Sequence, residues 1–313
     1  MAHRVRFGVQ TPQQNCSWQD LVSVWKTIDQ AGYDTAFAFD HFFPIFADPS
    51  GPCFEGWVGL AGLAVQTSKV EVGLLVTGNT YRNPALLAKM AATLDHATNG
   101  RLILGIGSGW FEQEHKAYGI PFYSIPERIR RFEEALRIIK SLWTEKQTTI
   151  NGKYYSIKDA YCEPKPVRKP YPPILIGAAG EKMNLKVVAR HGNIWNTFGP
   201  PALFQQKLQV LKDHCATVGR NFDEIEISWA GFGAVCKSES ETQEALRKVA
   251  AMWGRTPEEM APMALVGTPD QIRTRIDEFL KVGVTHFIVS LGAPFDHAGI
   301  RRFADEVASK YKS

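Results

Sequence analysis

Cysteine is scarce in this chain and follows no metal-binding pattern. Five cysteines occur in 313 residues, with no Cys-x-x-Cys pair and no metal-type spacing to a histidine: Cys16, Cys53, Cys162, Cys215 and Cys236. An odd, scattered set predicts free, reduced thiols rather than a disulfide framework or a zinc site. Burial as small apolar side chains is the favoured role, and a single catalytic thiol stays open.

Runs of like charge and long apolar segments are also missing. The 36 Lys and Arg and 32 Asp and Glu, a net charge of +4, are spread along the chain, which disfavours nucleic-acid binding. No apolar run approaches the roughly 18 residues of a membrane helix, and the N-terminus lacks a secretory pattern. The sequence predicts a cytoplasmic globular protein that binds neither nucleic acid nor membrane.

Short β-branched runs alternate with longer amphipathic segments along the whole chain. This alternation is typical of parallel strands joined by crossover helices. Eight strands predict a (β/α)8 TIM barrel that forms a single domain over residues 1–313. The eight candidate strands are Val5–Thr11, Thr35–Asp40, Val70–Thr77, Arg101–Gly107, Pro173–Ala178, Asn193–Phe198, Ile225–Val235 and His286–Leu291.

Helix caps support this architecture, and two segments interrupt it. Asn83 before Pro84 predicts one helix start, and a capping box at Thr268–Gln271 predicts another. Asn151–Pro173 and the helical segment Ser240–Met263 are read as barrel insertions. A doubly wound sheet is the main rival, but the first strand ends without the glycine-rich dinucleotide fingerprint of that fold.

Candidate functional residues follow the carboxyl ends of the strands, where barrel enzymes carry their chemistry. Asp40-His41-Phe42 brings an acid and an imidazole to the end of the second strand, and the imidazole can relay a proton near neutral pH. A solvent-exposed loop histidine is the alternative. Gly73–Asn79 ends the third strand in small residues that allow a ring to approach the backbone, although an ordinary Gly-Asn turn would look the same.

Two further glycine-rich clusters follow the fourth and fifth strands. Gly105–Gly109 exposes backbone through three alternate glycines, but it lacks the acidic partner of nucleotide folds. Gly177–Lys182 leads directly into a helix, whose free amides attract phosphate. We expect phosphate binding there, with a plain tight turn as the alternative.

Together these segments resemble the luciferase-like monooxygenase and oxidoreductase superfamily over nearly the whole chain. The segments that carry the resemblance are Asp40-His41-Phe42, Thr80–Ala85, Gly105–Trp110 and Gly177–Lys182. Members are (β/α)8 barrels that hold FMN or the deazaflavin coenzyme F420 at the barrel mouth. Asp40-His41-Phe42 and Gly109–His115 most resemble the F420-dependent branch, which implies hydride transfer to or from a small organic substrate.

The resemblance also implies roles for individual residues. His41 would handle the proton, and Asp40 would contact the cofactor. A non-prolyl cis peptide is implied at Leu75–Val76, or one residue earlier if the motif is aligned from Asn83. The implied cofactor contacts are Asp40, Leu75, Val76, Thr77, Gly107, Gly109, Gln113, Gly177, Ala178, Ala179, Gly180, Glu181, Asn196 and Thr197.

Aromatic side chains near these motifs are candidates for the substrate pocket: Phe42, Phe43, Trp57 and Trp110. Sugar-phosphate dehydrogenases of the branch have Glu at the position of Trp110, so oxidation of glucose 6-phosphate is disfavoured here. An FMN-dependent monooxygenase and a non-catalytic flavin-binding barrel stay open as alternatives. The resemblance implies a homodimer.

Overall fold

Eight parallel strands form the centre of the protein, and their bounds come from a computed structural model that describes residues 3–312. In chain order they are β1 Arg6–Gln10, β2 Thr35–Ala38, β3 Glu71–Leu74, β4 Leu102–Gly107, β5 Ile174–Gly177, β6 Ile194–Thr197, β7 Glu226–Val235 and β8 His286–Ser290. Each strand pairs in parallel with the next, and β8 returns to pair with β1. The sheet closes on itself, which confirms the predicted (β/α)8 barrel.

Helices cover the outside of the barrel between the strands. They are α1 Trp18–Gln30, α2 Gly56–Ala64, α3 Pro84–Ala97, α4 Glu112–Ala117, α5 Ile125–Thr144, α6 Asn184–His191, α7 Pro201–Val218, α8 Glu239–Met252, α9 Pro257–Met260, α10 Pro269–Lys281 and α11 His297–Arg302. Short 3-10 turns lie at Phe222–Glu224, Ala261–Met263 and Ala308–Tyr311, with a π-helical turn at Phe303–Val307.

The predicted helix caps are present. The Asn83 side chain accepts a hydrogen bond from the Ala85 amide, and Pro84 occupies the first position of α3. At α10, Thr268 and Gln271 form the reciprocal capping box, which satisfies backbone amides that have no partner within the helix. These local signals therefore locate the starts of two helices correctly.

The barrel interior is filled with apolar side chains rather than open. One buried cluster takes a residue from each of five strands, and Leu75 and Val76 pack against it: Phe37, Ile103, Leu175, Ile194 and Ile288. A larger core lies between the strands and the surrounding helices. The interior is therefore packed, and barrel enzymes bind their ligands in the loops at the carboxyl ends of the strands.

The strand predictions are right in number, but three local features differ. The third strand ends at Leu74, and the chain resumes as a short strand at Thr77–Gly78 beside β4. The first insertion contributes to an antiparallel hairpin, Thr148–Asn151 with Ser156–Ala160, that the sequence did not predict. A short strand at Leu265–Gly267 also pairs with β7. The second insertion is helical, as expected.

Gly105 allows β4 to pack closely against β3. A Cβ added at Gly105 would lie 1.9 Å from the Leu74 carbonyl oxygen, which belongs to rigid backbone. We expect Gly105→Ala to lower the free energy of unfolding by about 1–3 kcal/mol or more, as overpacking does. Gly59→Ala is the matched control, because an added Cβ there meets nothing within 4 Å and α2 gains helix propensity. Chemical denaturation measures both, and equal stabilities would contradict the expected clash.

Candidate active site

The four clusters predicted at the strand ends meet in one cavity at the barrel mouth. It has a volume of about 310 Å³, and we call it the glycine-lined cavity. Asp40, Thr77, Gly107 and Gly177 all line it, so residues from four strands face the same opening. The remaining lining residues are His41, Leu75, Val76, Gly78, Tyr81, Ser108, Gly109, Trp110, Ala178, Ala179 and Asn184.

One wall of this cavity consists of small residues. Gly107, Gly177, Ala178 and Ala179 have no side chain beyond Cβ, and a Cβ added at Gly107 or Gly177 would approach Val76 to 3.1 Å. Larger residues at these positions would fill the space. The wall therefore leaves room for a flat ring system close to the backbone.

A non-prolyl cis peptide joins Leu75 and Val76 at the floor of the cavity. This confirms the position obtained by aligning the motif forward from Gly73, and not the alternative one residue earlier. The Gln10 side chain donates a hydrogen bond of 2.9 Å to the Leu75 carbonyl oxygen. The segment that lines the cavity is thereby tied to β1.

The helix after β5 begins beside the cavity. Met183, the N-cap residue of α6, makes no side-chain cap, and the first turn contains no acidic residue. Ala179 and Asn184 from this segment line the cavity. The Leu185 amide donates to the Gly180 carbonyl oxygen, which leaves fewer amides for an anion. Phosphate binding at this helix start stays a prediction.

His41 is held at the mouth by a buried carboxylate. Its Nδ1 lies 2.8 Å from Oε2 of Glu114, and the Glu114 side chain has no exposed surface. Tyr81 Oη donates to the same oxygen over 2.7 Å, and the Phe42 amide donates to the other. Burial would raise the pKa of Glu114, but these hydrogen bonds outweigh it and hold the pKa below its ordinary value.

Asp40, the residue before His41, lines the cavity and forms an ion pair with Arg82. Arg82 donates to both carboxylate oxygens, over 2.6 and 3.0 Å, and also pairs with Glu55. The Gly78 amide adds a bond of 3.2 Å to Asp40. Complete burial raises the pKa of Asp40, and Arg82 opposes that shift by stabilising the carboxylate.

A second cavity of about 440 Å³ adjoins the first, and we call it the aromatic cavity. Its walls include Phe39, Ile45, Phe46, Phe232, Met252 and Trp253. His41, Leu75 and Trp110 line both cavities. The imidazole therefore lies at the junction between a space walled by glycine and alanine and a space walled by aromatic rings.

Comparison with known proteins agrees with this geometry. The model of the family described as luciferase-like monooxygenase matches residues 1–286. The chain belongs to the luciferase-like monooxygenase family. Within residues 3–312, the structure contains no helix with the length and apolar character needed to cross a membrane, and no cluster of His, Cys, Asp or Glu suited to a metal ion.

Curated relatives of this luciferase-like protein use two kinds of cofactor. It is 32% identical over 227 residues to the F420-dependent glucose-6-phosphate dehydrogenase of Microbacterium testaceum, covering 71% of this chain and 66% of that protein. It is 31% identical over 189 residues to the FMNH(2)-dependent dimethylsulfone monooxygenase of Pseudomonas putida, covering 60% of this chain and 51% of that protein. Each match spans less than two thirds of the relative's own length.

Solved structures share the fold of this luciferase-like chain over nearly its full length. An F420-dependent secondary alcohol dehydrogenase in complex with an F420-acetone adduct superimposes with a TM-score of 0.88 at 19% identity, covering 99% of this chain and 100% of that one. The coenzyme F420 dependent tetrahydromethanopterin reductase of Methanopyrus kandleri gives a TM-score of 0.83 at 22% identity, with the same coverage. At these identities the similarity establishes the fold.

Three of the four aromatic residues predicted to line a substrate pocket line neither cavity. Trp57 is buried in the core, where its Nε1 donates to Thr77 Oγ1 over 3.1 Å, so it supports the cavity wall from behind. Phe43 packs edge-on against Phe111 at a centroid distance of 5.7 Å and lines neither cavity. Phe42 packs against Tyr81 and Tyr118, at centroid distances of 4.7 and 4.6 Å. All three are corrections to the predicted wall, and of the expected pocket residues only Trp110 lines a cavity.

Several predicted cofactor contacts also lie outside the cavity walls. Gln113 is exposed on α4, because the inward face of this helix is taken by Glu114. Asn196 donates to Ser228 Oγ over 2.9 Å inside the barrel, and the neighbouring Thr197 is buried without lining either cavity. The motif match alone could not show where these side chains lie, because their positions depend on how the strands and helices pack in the barrel.

The turn before α6 is likewise only partly in the cavity wall. Ala178 and Ala179 line the cavity, whereas Gly180 and Glu181 do not. The Glu181 carboxylate faces α7, where Lys207 Nζ lies 3.2 Å away. This acid therefore pairs with a lysine and does not face the cavity.

Sequence reasoning missed several site residues, among them the charged residues Glu114, Arg82 and Glu55. Glu114 and Arg82 both stood inside quoted motifs without an assigned role, and Glu55 stood outside them. Glu114 can be recognised as the partner of His41 only when the folded structure is known. The charge of each residue was visible in the sequence, but its partner was not.

We expect the Asp40–Arg82 pair to be sensitive to removal of one partner. Arg82→Met leaves a fully buried carboxylate without its cation, which should lower the free energy of unfolding by about 3–5 kcal/mol. Because the buried Asp40 then takes up a proton more readily in the folded than in the unfolded state, the stability of the variant should rise as the pH falls from about 7 toward about 5.

Two comparisons complete this test by urea denaturation. The double variant Asp40→Asn/Arg82→Met should recover much of the loss, since no buried charge remains. Arg190→Met removes a half-exposed pair with Glu133 and should cost at most about 1 kcal/mol. Equal losses of unfolding free energy in Arg82→Met and Arg190→Met would show that the buried Asp40–Arg82 pair contributes no more to stability than an exposed pair.

Proposed function

We propose that this luciferase-like protein is an F420-dependent oxidoreductase that exchanges a hydride between the deazaflavin and a small organic substrate. The observation that carries the proposal is the position of His41, which stands between the glycine-lined and aromatic cavities with its Nδ1 bonded to buried Glu114. One cavity suits a flat cofactor and the other suits a substrate. The F420-dependent relative from Microbacterium testaceum supports the choice of cofactor.

The residues present fit a deazaflavin cofactor. Gly107, Gly177 and Ala178 leave a flat space for the ring, and a substituted Cβ would occupy part of it. The uncapped start of α6 suits the phosphate of the side chain. When bound, the deazaflavin supplies a ring carbon that accepts or returns a hydride.

His41 would handle the accompanying proton. When an alcohol is oxidised, its C–H bond loses a hydride, the O–H proton passes to His41, and a carbonyl product remains; reduction runs in reverse. His41 Nε2 has no hydrogen-bond partner within residues 3–312, whereas Nδ1 is engaged by Glu114. This arrangement orients the ring so that Nε2 meets the substrate oxygen, and the carboxylate stabilises the imidazolium that forms.

An FMN-dependent monooxygenase is the second candidate. The relative from Pseudomonas putida, which uses reduced FMN, favours it, because the same cavity could receive a flavin ring. A barrel that binds a flavin without catalysis is the third reading, and the buried His41–Glu114 pair disfavours it. From the resemblance to the family we also infer that the protein forms a homodimer. We infer that it is located in the cytoplasm.

The central prediction concerns His41→Ala. This variant should retain F420 binding, because the glycine-lined wall and the start of α6 remain intact. Its turnover should fall by about 10²–10⁴-fold, the usual contribution of a general acid or base. Spectral titration with F420 measures binding, and F420 absorbance measures turnover with a confirmed alcohol or carbonyl substrate.

One control tests whether the loss of turnover is specific to His41, and a second titration tests the choice of cofactor. His96→Ala removes an exposed histidine that bonds to the Lys165 carbonyl oxygen and lines neither cavity, so it should turn over normally. Titration with FMN should give much weaker binding than titration with F420. Tight FMN binding without F420 binding would favour the monooxygenase, and near-native turnover of His41→Ala would remove this residue from the proton path.

A further inference from the structure

We propose that the substrate is an uncharged molecule with an apolar, ring-sized body and a single carbonyl or hydroxyl group, held in the aromatic cavity with its oxygen at His41. This proposal rests on the proposed function, because the bound molecule is a substrate only if the protein is an oxidoreductase. The ligand preference itself follows from the charge, shape and polarity of the cavity.

Formal charge is absent from the walls of the aromatic cavity. Among the residues the structure describes, no Lys, Arg, Asp or Glu lines it, and His41 is its one histidine. An ionised ligand would lose hydration there without gaining a counter-ion, which is strongly unfavourable. The nearby Arg82 is already paired with Asp40 and Glu55, so it carries no spare charge for an anion.

Aromatic rings form an exposed rim around this cavity. Phe46 from the loop after β2 lies 5.1 Å from Trp253 beyond α8 and stacks at 6.3 Å with Trp110. Phe46 and Trp110 are 61% and 56% exposed, which is high for such large apolar side chains in one place. A ligand with a ring or branched apolar body would cover these faces and gain from their burial.

The backbone at Phe46 supports a specific placement of this ring. Its φ is 57°, in the left-handed region that bulky residues rarely adopt. The surrounding loop must therefore hold the residue in an unfavourable conformation, and in doing so it directs the ring to the rim. Unfavourable φ values of this kind cluster at ligand sites.

Five polar side chains line the cavity: Gln10, Gln14, Asn15, His41 and Ser290. Gln14 uses both ends of its amide on the Ile45 backbone, and Gln10 donates to the Leu75 carbonyl oxygen. His41 is the polar group that also lines the glycine-lined cavity. Apolar side chains outnumber these polar ones in the wall, and with a volume of about 440 Å³ the cavity lies in the range of small-molecule sites.

A matched pair of ketones tests this preference by calorimetry. The probes are 4-phenylbutan-2-one and its ring carboxylate, 4-(3-oxobutyl)benzoate, with glucose 6-phosphate as a second anion. We expect the uncharged ketone to bind at least about tenfold more tightly than either anion. Equal or tighter binding of an anion would overturn the proposal.

Variants at the rim show whether binding occurs in this cavity. Phe46→Ala and Trp253→Ala should weaken ketone binding by about tenfold, whereas Ile125→Ala removes an equally exposed apolar side chain outside both cavities and should not. Met252→Lys places a cation in the wall and should shift the preference toward the carboxylate. If Phe46→Ala, Trp253→Ala and Met252→Lys all leave ketone binding unchanged, the ligand lies elsewhere and the proposal fails.

The same titrations are made with and without F420, so that two failures can be told apart. Ketone binding without any binding of F420 would contradict the proposed function and leave the ligand preference intact. F420 binding without ketone binding in either titration would overturn the ligand preference alone.

Discussion

Closure of the parallel sheet is the constraint on which the site depends. Because β8 pairs with β1, the carboxyl ends of all eight strands meet at one mouth, above a packed interior. Residues separated by long stretches of chain are brought together there. The glycine-lined wall combines the ends of β4 and β5, and His41 enters from the end of β2.

Two buried acids at this mouth have different partners and therefore different roles. Asp40 is neutralised by Arg82, which makes it a structural support for the third-strand segment through the Gly78 amide. Glu114 instead accepts hydrogen bonds from His41 and Tyr81, so its charge acts on the imidazole. The neighbouring sequence positions Asp40 and His41 thus belong to separate interaction networks, one around Arg82 and one that orients the imidazole.

Local signals predicted much of the fold, whereas the partners within the site required the structure. Strand alternation and the caps at Asn83 and Thr268 act over a few residues, so they are readable in one sequence. The His41–Glu114 bond spans 73 positions, and nothing local marks it. Trp57 shows the converse limit, since an aromatic residue near a motif can face the core as readily as the cavity. The rim formed by Phe46 and Trp253 depends on an insertion folding back over the mouth.

The His41–Glu114 pair is central to the proposed function, and a double-mutant cycle tests its role most directly. The turnover number is measured for the unmodified protein, His41→Ala, Glu114→Gln and the double variant. If Glu114 acts through His41, Glu114→Gln should slow turnover about tenfold or more in the unmodified protein and change it by less than about twofold in the His41→Ala background, a coupling of about 1–3 kcal/mol. The same fold-loss in both backgrounds would contradict the account, because Glu114 would then act independently of the imidazole.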